Sequence, residues 1–276
     1  MRTLPDFLCI GAQKAGTSWL YVLLQEHPEI WMPPIKELHY FDHLFVPENR
    51  KWTKWHIRLH ASREIEKQLK SPDGVNFDQI RYLAEFASKD PFTEEWYRRA
   101  FDRPAARFKS LGDITPEYST IPQEGLKYVR SLLGAVKIIY IIRDPISRAL
   151  SQLRMNASRK KQIMSSENDW LELARSPEVF NRGDYAQYVP LWRDMFADDI
   201  LFIPYGKIAS APEAVLGSIE QFIGIGSHEY ANVGKRVHET KKADIPEVVK
   251  DYLCEEMSSQ ITFLEREFGP EFSNAT

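Results

Sequence analysis

Apolar positions along the chain fall into two patterns. Short dense runs stop at Gly or Pro, and longer stretches repeat an apolar residue every three or four positions. The first dense run, Thr3 to Ile10, is stopped by Gly11 and predicts a buried strand. From Thr17 to His27, Trp19, Leu20, Leu23 and Leu24 recur at helical spacing until His27-Pro28 ends the pattern. Ile30-Trp31-Met32 is a second short apolar piece before Pro33-Pro34. The densest run, Val136 to Ile142, is dominated by β-branched residues and ends at Arg143-Asp144-Pro145, which predicts a central parallel strand. Ile146 to Asn156 then reads as a helix, Ile200 to Tyr205 as a strand, Pro212 to Ile223 as a helix, and Pro246 to Phe268 as the closing helix.

Strands alternating with helices predict a three-layer α/β fold around a mostly parallel sheet, and we expect residues 1–276 to form a single domain. Residues from about Asn49 to Ala100 depart from the alternation. They are rich in Trp, Arg, Lys and Glu at helical spacing, broken at Ser71-Pro72-Asp73-Gly74 and Asp90-Pro91, and read as a helical insertion centred on 49–90. No repeat or low-complexity tract interrupts the chain.

Composition narrows the class. Of 276 residues 43% are hydrophobic and 27% charged, and the net charge of −3 argues against a general nucleic-acid binder. No run reaches the ~20 apolar residues of a membrane span, and Met1 to Asp6 is too short for a signal peptide, so a cytoplasmic protein is the expectation. Cys9 and Cys254 have no CxxC partner or metal-ligand spacing and read as buried free thiols. No His, Cys, Asp and Glu cluster with ligand spacing stands out, so no metal is expected.

In such sheets ligands bind at the carboxyl ends of strands, and two strand ends here carry chemistry. The first is Gly11-Ala12-Gln13-Lys14-Ala15-Gly16-Thr17-Ser18. Glycines five apart permit a tight turn with close N–H approach, the start of the following helix favours an anion, and Lys14 adds a point charge. As a Walker A loop it fails, because Thr17 stands where that motif has lysine. The second is Arg143 at the end of the central run, with Ser147 and Ser151 on one face of the next helix. A guanidinium fork with a helix-face hydroxyl suits a second phosphate.

Taken together, a strand–GxxKxGTS–helix cradle and a later strand–RDPxxRxxS–helix resemble the sulfotransferases that use 3′-phosphoadenosine-5′-phosphosulfate (PAPS). The resemblance implies that Lys14, Gly16, Thr17 and Ser18 hold the phosphosulfate, with Ala15 and Trp19 beside them. It implies that Arg143 and Ser151 hold the 3′-phosphate and that Tyr205 also contacts the donor. Further segments resemble the branch that includes the heparan sulfate sulfotransferases. Lys36 to Asp42, KELHYFD, resembles the segment carrying a catalytic glutamate, which places that role on Glu37 with His39 beside it. Gly112 to Ser119, GDITPEYS, resembles a Thr-Pro-x-Tyr segment; by position Asp113 suits a Walker-B-like carboxylate, and better a structural hydrogen-bond acceptor near the site. GDYAQYVPLWRDMF and ILFIPYGKI match a glycine–tyrosine helix and the strand after it. GKRVHETKKADIPEVV resembles the basic loop that closes over the donor, suggesting Lys235 and Arg236 as contacts. By position alone, Glu37 and His39 also suit surface residues after Pro33-Pro34, and Lys235-Arg236 a solvated pair.

The implied activity is transfer of a sulfuryl group to an acceptor hydroxyl, on a carbohydrate, lipid or other small or carrier-bound alcohol, leaving adenosine 3′,5′-bisphosphate (PAP). Glu37 would be the general base, His39 its orienting partner, and Lys14 would do the neutralising that a kinase assigns to Mg²⁺. Two departures bear on the acceptor. Ile114 stands where the heparan branch often has lysine, and the chain lacks the positive balance suited to a long polyanion. The alternatives are a P-loop nucleotide kinase-like phosphotransferase, against which the place of Lys14 argues, and a non-catalytic nucleotide-binding scaffold. In the insertion, Trp52, Trp55 and Leu59 share one helical face with Lys51, Lys54 and Arg58 around it. That predicts an amphipathic helix packed over the core, or an acceptor lid or dock for an acidic carrier protein.

Overall fold

The computed structural model describes residues 4–88, 90–102, 108–160, 164, 166–234 and 243–276. The first strand, β1 (Phe7–Gly11), is buried at every position, as a central strand covered on both faces must be. The turn after it leads into α1 (Thr17–Leu24), and β2 (Ile30–Trp31) is a two-residue edge strand. A short helix α2 (Tyr40–Phe45) precedes α3 (Arg50–Leu69) and α4 (Phe77–Ser88), which occupy the stretch read as a helical insertion, and then α5 (Glu94–Arg99). The chain re-enters the sheet as β3 (Ser110–Ile114), followed by α6 (Gln123–Leu133), β4 (Lys137–Ile142) and α7 (Pro145–Lys160). Short helices α8 (Glu167–Ala174) and α9 (Pro177–Asn181) lead to α10 (Tyr185–Phe196) and the last strand β5 (Ile200–Pro204). The chain ends with α11 (Gly206–Ser210), α12 (Pro212–Ile223), α13 (Glu247–Phe268) and α14 (Pro270–Asn274).

Among the described residues five strands pair in the order β2-β3-β1-β4-β5, all parallel, giving an α/β fold as the alternation predicts. Placing β1 between β3 and β4 brings the ends of all three to one edge, where both anion loops and the Thr115–Ser119 segment emerge. β3 is a strand that periodicity did not reveal. Its five residues SLGDI include a Gly and an Asp, both poor strand formers, yet all five are buried. Gly112 is required by close approach, since a Cβ there would lie 2.1 Å from the Phe7 ring on the paired strand.

The main core surrounds this sheet, and a second apolar cluster of Leu153, Trp170, Val179, Val249, Leu253 and Met257 joins α7, α8, α9 and α13. Two expectations need correction. Cys9 is buried, but Cys254 is exposed, because the buried stripe of α13 runs through Val249, Leu253 and Met257 and leaves position 254 beside it. On α3 the buried face is Thr53, His56, Ile57 and Ala61, while Trp55 is 63% exposed. The expected Trp52, Trp55 and Leu59 stripe is therefore split, with Trp52 turned in against His39 and Trp55 left outside. Among the described residues no helix is long and apolar enough to cross a membrane.

Candidate active site

The turn from β1 to α1 is shaped for an anion. Gly16 caps α1 with φ 85°, and a Cβ there would lie 2.9 Å from Ile208 Cδ1 and 3.4 Å from the Tyr205 ring. Thr17, Ser18 and Trp19 form the first turn of the helix, where backbone N–H groups have no helical partner. Lys14 takes φ 69°, and Ala15 beside it is buried. Burial and then the charges of Arg159 and Arg143 hold the Lys14 ammonium below its ordinary range, opposed by Glu37.

Arg143 leaves the end of β4 and is tied to this turn directly. Its Nη1 donates to the Lys14 carbonyl at 2.6 Å, and its guanidinium lies 4.4 Å from the centre of the Tyr205 ring. The strand end beneath it is pinned by the Tyr185 hydroxyl, which donates to the Arg143 carbonyl at 2.9 Å. Arg143 Nε is buried and finds no hydrogen-bond partner among the described residues. A part-buried guanidinium with a spare donor, at the end of β4 and bonded to the Lys14 carbonyl, fits a phosphate oxygen. Ser151 lies part-buried in the second turn of α7, downstream of Arg143. Arg148 of the same motif plays a different part. It is fully buried, with Nη1 donating to Gln152 at 2.7 Å and Nη2 to the Val179 carbonyl, so it fastens α9 to α7.

The second half of the site is the turn before α2. Glu37 and His39 both adopt left-handed backbone, φ 64° and 54°, a conformation that costs non-glycine residues energy and persists only where neighbours enforce it. One Glu37 oxygen pairs with Lys36, and the other lies 3.9 Å from His39 Nε2. His39 is fully buried, with Nδ1 at 3.1 Å and 3.2 Å from the Asp42 carboxylate, which also accepts from Asn49 at 2.8 Å. Burial alone would lower the His39 pKa, but Asp42, Glu117 and Glu37 outweigh it and lift it to about 9, so the ring is an imidazolium at neutral pH. Burial likewise works against the Glu37 charge, yet Lys36, His39 and His56 outweigh it and hold the carboxyl below its usual range. An ionised carboxylate beside an imidazolium, across a turn from an anion cradle, can accept a proton while opposing charge is neutralised nearby.

Several site residues carry no sequence signal of their own. Asp42 and Asn49 are legible only once the fold places them on His39. Gln13, beside Lys14, donates to Glu117 at 2.9 Å and accepts from Arg182 at 2.8 Å, and Glu117 Oε2 stands 4.0 Å from His39 Nδ1. This chain of contacts joins the cradle to the Glu37–His39 turn through residues 104 and 169 positions away from Gln13. Asp113 is an acceptor as expected, receiving Tyr97, Thr115 and Tyr118 hydroxyls at 3.0, 2.8 and 2.8 Å. α3 adds Trp52 and His56, whose rings meet that of His39 edge-on at 4.6 Å each. Glu37, His39 and His56 thereby form a group with ligand atoms within 4.8 Å of one another, a His/Glu cluster that ligand spacing along the sequence did not reveal. Trp19 donates from Nε1 to the Val233 carbonyl at 2.9 Å, holding the segment before residue 235 over α1. Lys235 and Arg236 lie outside the described residues.

The model of the family described as "Sulfotransferase family" matches residues 5–229, which include the turn after β1, the Glu37–His39 turn, Arg143 and Tyr205. The chain belongs to the sulfotransferase family. Among curated members it is 25% identical over 178 residues to the membrane-associated sulfotransferase kil1 of Dictyostelium discoideum, covering 64% of this chain and 26% of that protein. It is 23% identical over 255 residues to human heparan sulfate glucosamine 3-O-sulfotransferase 3B1, covering 88% of this chain and 53% of the relative. The chain thus spans about half, or less, of the length of these relatives. Among solved sulfotransferases, one from Alicyclobacillus acidocaldarius superposes with a TM-score of 0.63 at 21% identity, over 95% of this chain and 94% of the other. Mouse sulfotransferase SULT7A1, solved with PAP bound, has a TM-score of 0.53 at 16% identity, over 100% and 90% of the two chains. At these identities the structures establish a shared fold.

Proposed function

We propose that this chain is a PAPS-dependent sulfotransferase that moves the sulfuryl group to an acceptor hydroxyl and releases PAP. The observation that carries it is the join between the two halves of the cradle. Arg143 is bonded to the Lys14 carbonyl at 2.6 Å, and the Glu37 carboxylate lies near enough to favour the charged form of Lys14. The donor supplies an activated sulfuryl group; the chain's residues bind it and handle one proton. Gly16, Thr17 and Ser18 offer N–H and hydroxyl donors to the phosphosulfate, with Ala15 and Trp19 flanking them. Arg143, Ser151 and Tyr205 hold the 3′-phosphate end. Glu37 accepts the hydroxyl proton as the acceptor oxygen–sulfur bond forms, and the phosphate–sulfate bond breaks toward Lys14, which neutralises the oxygen left behind. His39, fixed by Asp42, keeps Glu37 aimed and ionised. No protein-bound metal enters this scheme.

The acceptor is an alcohol of a sugar, lipid or carrier-bound molecule. The exposed Lys51, Lys54, Trp55 and Arg58 on α3 favour delivery by an acidic carrier. Calorimetry decides the donor. PAP should bind tightly without Mg²⁺ and ATP should not, with Lys14→Ala and Arg143→Ala each weakening PAP at least tenfold; the reverse preference would identify a kinase-like protein. Using an acceptor found by screening labelled PAPS over sugars, glycolipids and carrier-bound alcohols, Glu37→Gln should abolish transfer and spare PAP binding. Turnover retained in that variant removes Glu37 from the role of base.

A further inference from the structure

We propose that Glu37, His39 and His56 form a transition-metal site of the kind Zn²⁺ occupies, and that a metal held there takes away the base. The three residues come from two elements, the turn before α2 and the buried face of α3, and their ligand atoms lie within 4.8 Å of one another. Tetrahedral zinc with bonds of roughly 2.0–2.2 Å sets its ligands roughly 3.3 Å apart. His39 Nε2 and Glu37 Oε2, at 3.9 Å, need to close by only about half an ångström, again judged against that tetrahedral spacing. Glu37, with 26% of its side chain exposed, has room to make that adjustment and to admit an ion.

The outer contacts have the form that orients metal ligands. A ligating histidine ordinarily gives its second ring nitrogen to a carboxylate or a backbone carbonyl. His39 Nδ1 faces Asp42 at 3.1 Å, and His56 Nε2 faces the Lys36 carbonyl at 3.2 Å. Glu37 holds Lys36 through one oxygen and presents the other to His39. The remaining nitrogen of the dyad, His39 Nε2, is buried, has no hydrogen-bond partner among the described residues, and points into the group. His56 is fixed between His39, edge-on at 4.6 Å, and His60, stacked at 4.1 Å.

Charge also permits it. The carboxylates of Glu37, Asp42 and Glu117 surround His39, against Lys36, Arg182 at 3.6 Å from Glu117, and the more distant Lys14. Carboxylates around the group offset part of the charge a divalent ion brings. Two imidazoles and one carboxylate favour Zn²⁺ or Co²⁺ over Mg²⁺. Metal binding stands independently of the sulfotransferase reading; only the loss of turnover rests on it, because a metal-bound Glu37 cannot accept the acceptor's proton.

The test uses the full chain after chelator treatment, titrated with Co²⁺. The expected result is one Co²⁺ per chain, with the visible absorption of a four- or five-coordinate ion that Zn²⁺ abolishes. His56→Gln should weaken Co²⁺ at least tenfold, and the remote control His228→Gln should leave it unchanged. The thermal melt and PAP affinity of His56→Gln must match the parent, which separates a lost ligand from a misfolded chain. Co²⁺ binding equal in His56→Gln and parent, or the spectrum of the aquo ion alone, overturns the proposal. Absence of PAP binding with a Co²⁺ site intact would instead sink the sulfotransferase reading and leave the metal site standing.

Discussion

Arg143 illustrates how much one residue depends on its bed. The sequence places it at a strand end, but its usefulness rests on two contacts that only the fold supplies, the Lys14 carbonyl and the Tyr205 ring. A guanidinium over an aromatic face is held by the ring quadrupole, a contact worth roughly 0.5–2 kcal/mol depending on desolvation. The contribution comes from the ring and not from the hydroxyl. Tyr205→Phe should therefore bind PAP within about twofold of the parent, and Tyr205→Leu roughly fivefold more weakly, by calorimetry. Equal losses in both variants would show that the hydroxyl, and not the ring, serves the site. Tyr205 has a second duty, since its ring also walls the space above Gly16. A melt of each variant distinguishes a loosened Arg143 from a loosened turn.

Among the elements, α3 is where pattern and fold part company. Its helical period was plain in the sequence, but the buried side was not. Thr53, His56 and Ala61 make poor hydrophobic signals, whereas Trp52, Trp55 and Leu59 make strong ones. What decides the side is the polar turn beneath it, where Trp52 and His56 pack on His39. The exposed side therefore keeps Trp55 among Lys51, Lys54 and Arg58, a cationic and aromatic strip without a packing partner in the described fold. If an acidic carrier docks there, reversing all three cations to Glu should raise KM for a carrier-borne acceptor roughly tenfold. It should leave kcat and PAP affinity in place, and the KM rise in the parent should be reproduced by added salt. Unchanged acceptor kinetics in the triple variant would remove the carrier reading. β3 hid for a related reason, because its Gly112 and Asp113 are chosen by contacts across the sheet and not by strand propensity.

Across the whole molecule, what the sequence made legible were the residues proposed to meet an anion, since glycines, a lysine and an arginine at strand ends advertise themselves. The supports were hidden, because Asp42, Glu117, Gln13 and Arg182 act through contacts between distant segments. Asp113 is the support at the centre. It lies on β3, receives Tyr97 from α5, and receives Tyr118, whose hydroxyl also accepts the Tyr40 N–H at 3.1 Å, one residue past His39. One buried carboxylate thus ties the sheet, α5 and the Glu37–His39 turn together. Burial raises its pKa from 3.8 to about 6, and the three hydroxyl donors and His39 only partly counter this. A folded-state pKa above the unfolded one means that folding takes up a proton between those values. Its contribution to stability is therefore full below about pH 4 and is lost as pH rises through about 6. Asp113→Asn removes that titration while keeping the shape. Its melting temperature relative to the parent should rise between about pH 4 and pH 6 and stay level above, with every other titrating group cancelling in the difference. A difference flat across that window would mean that Asp113 keeps an ordinary pKa, and that the three hydroxyls fully repay the burial of its charge.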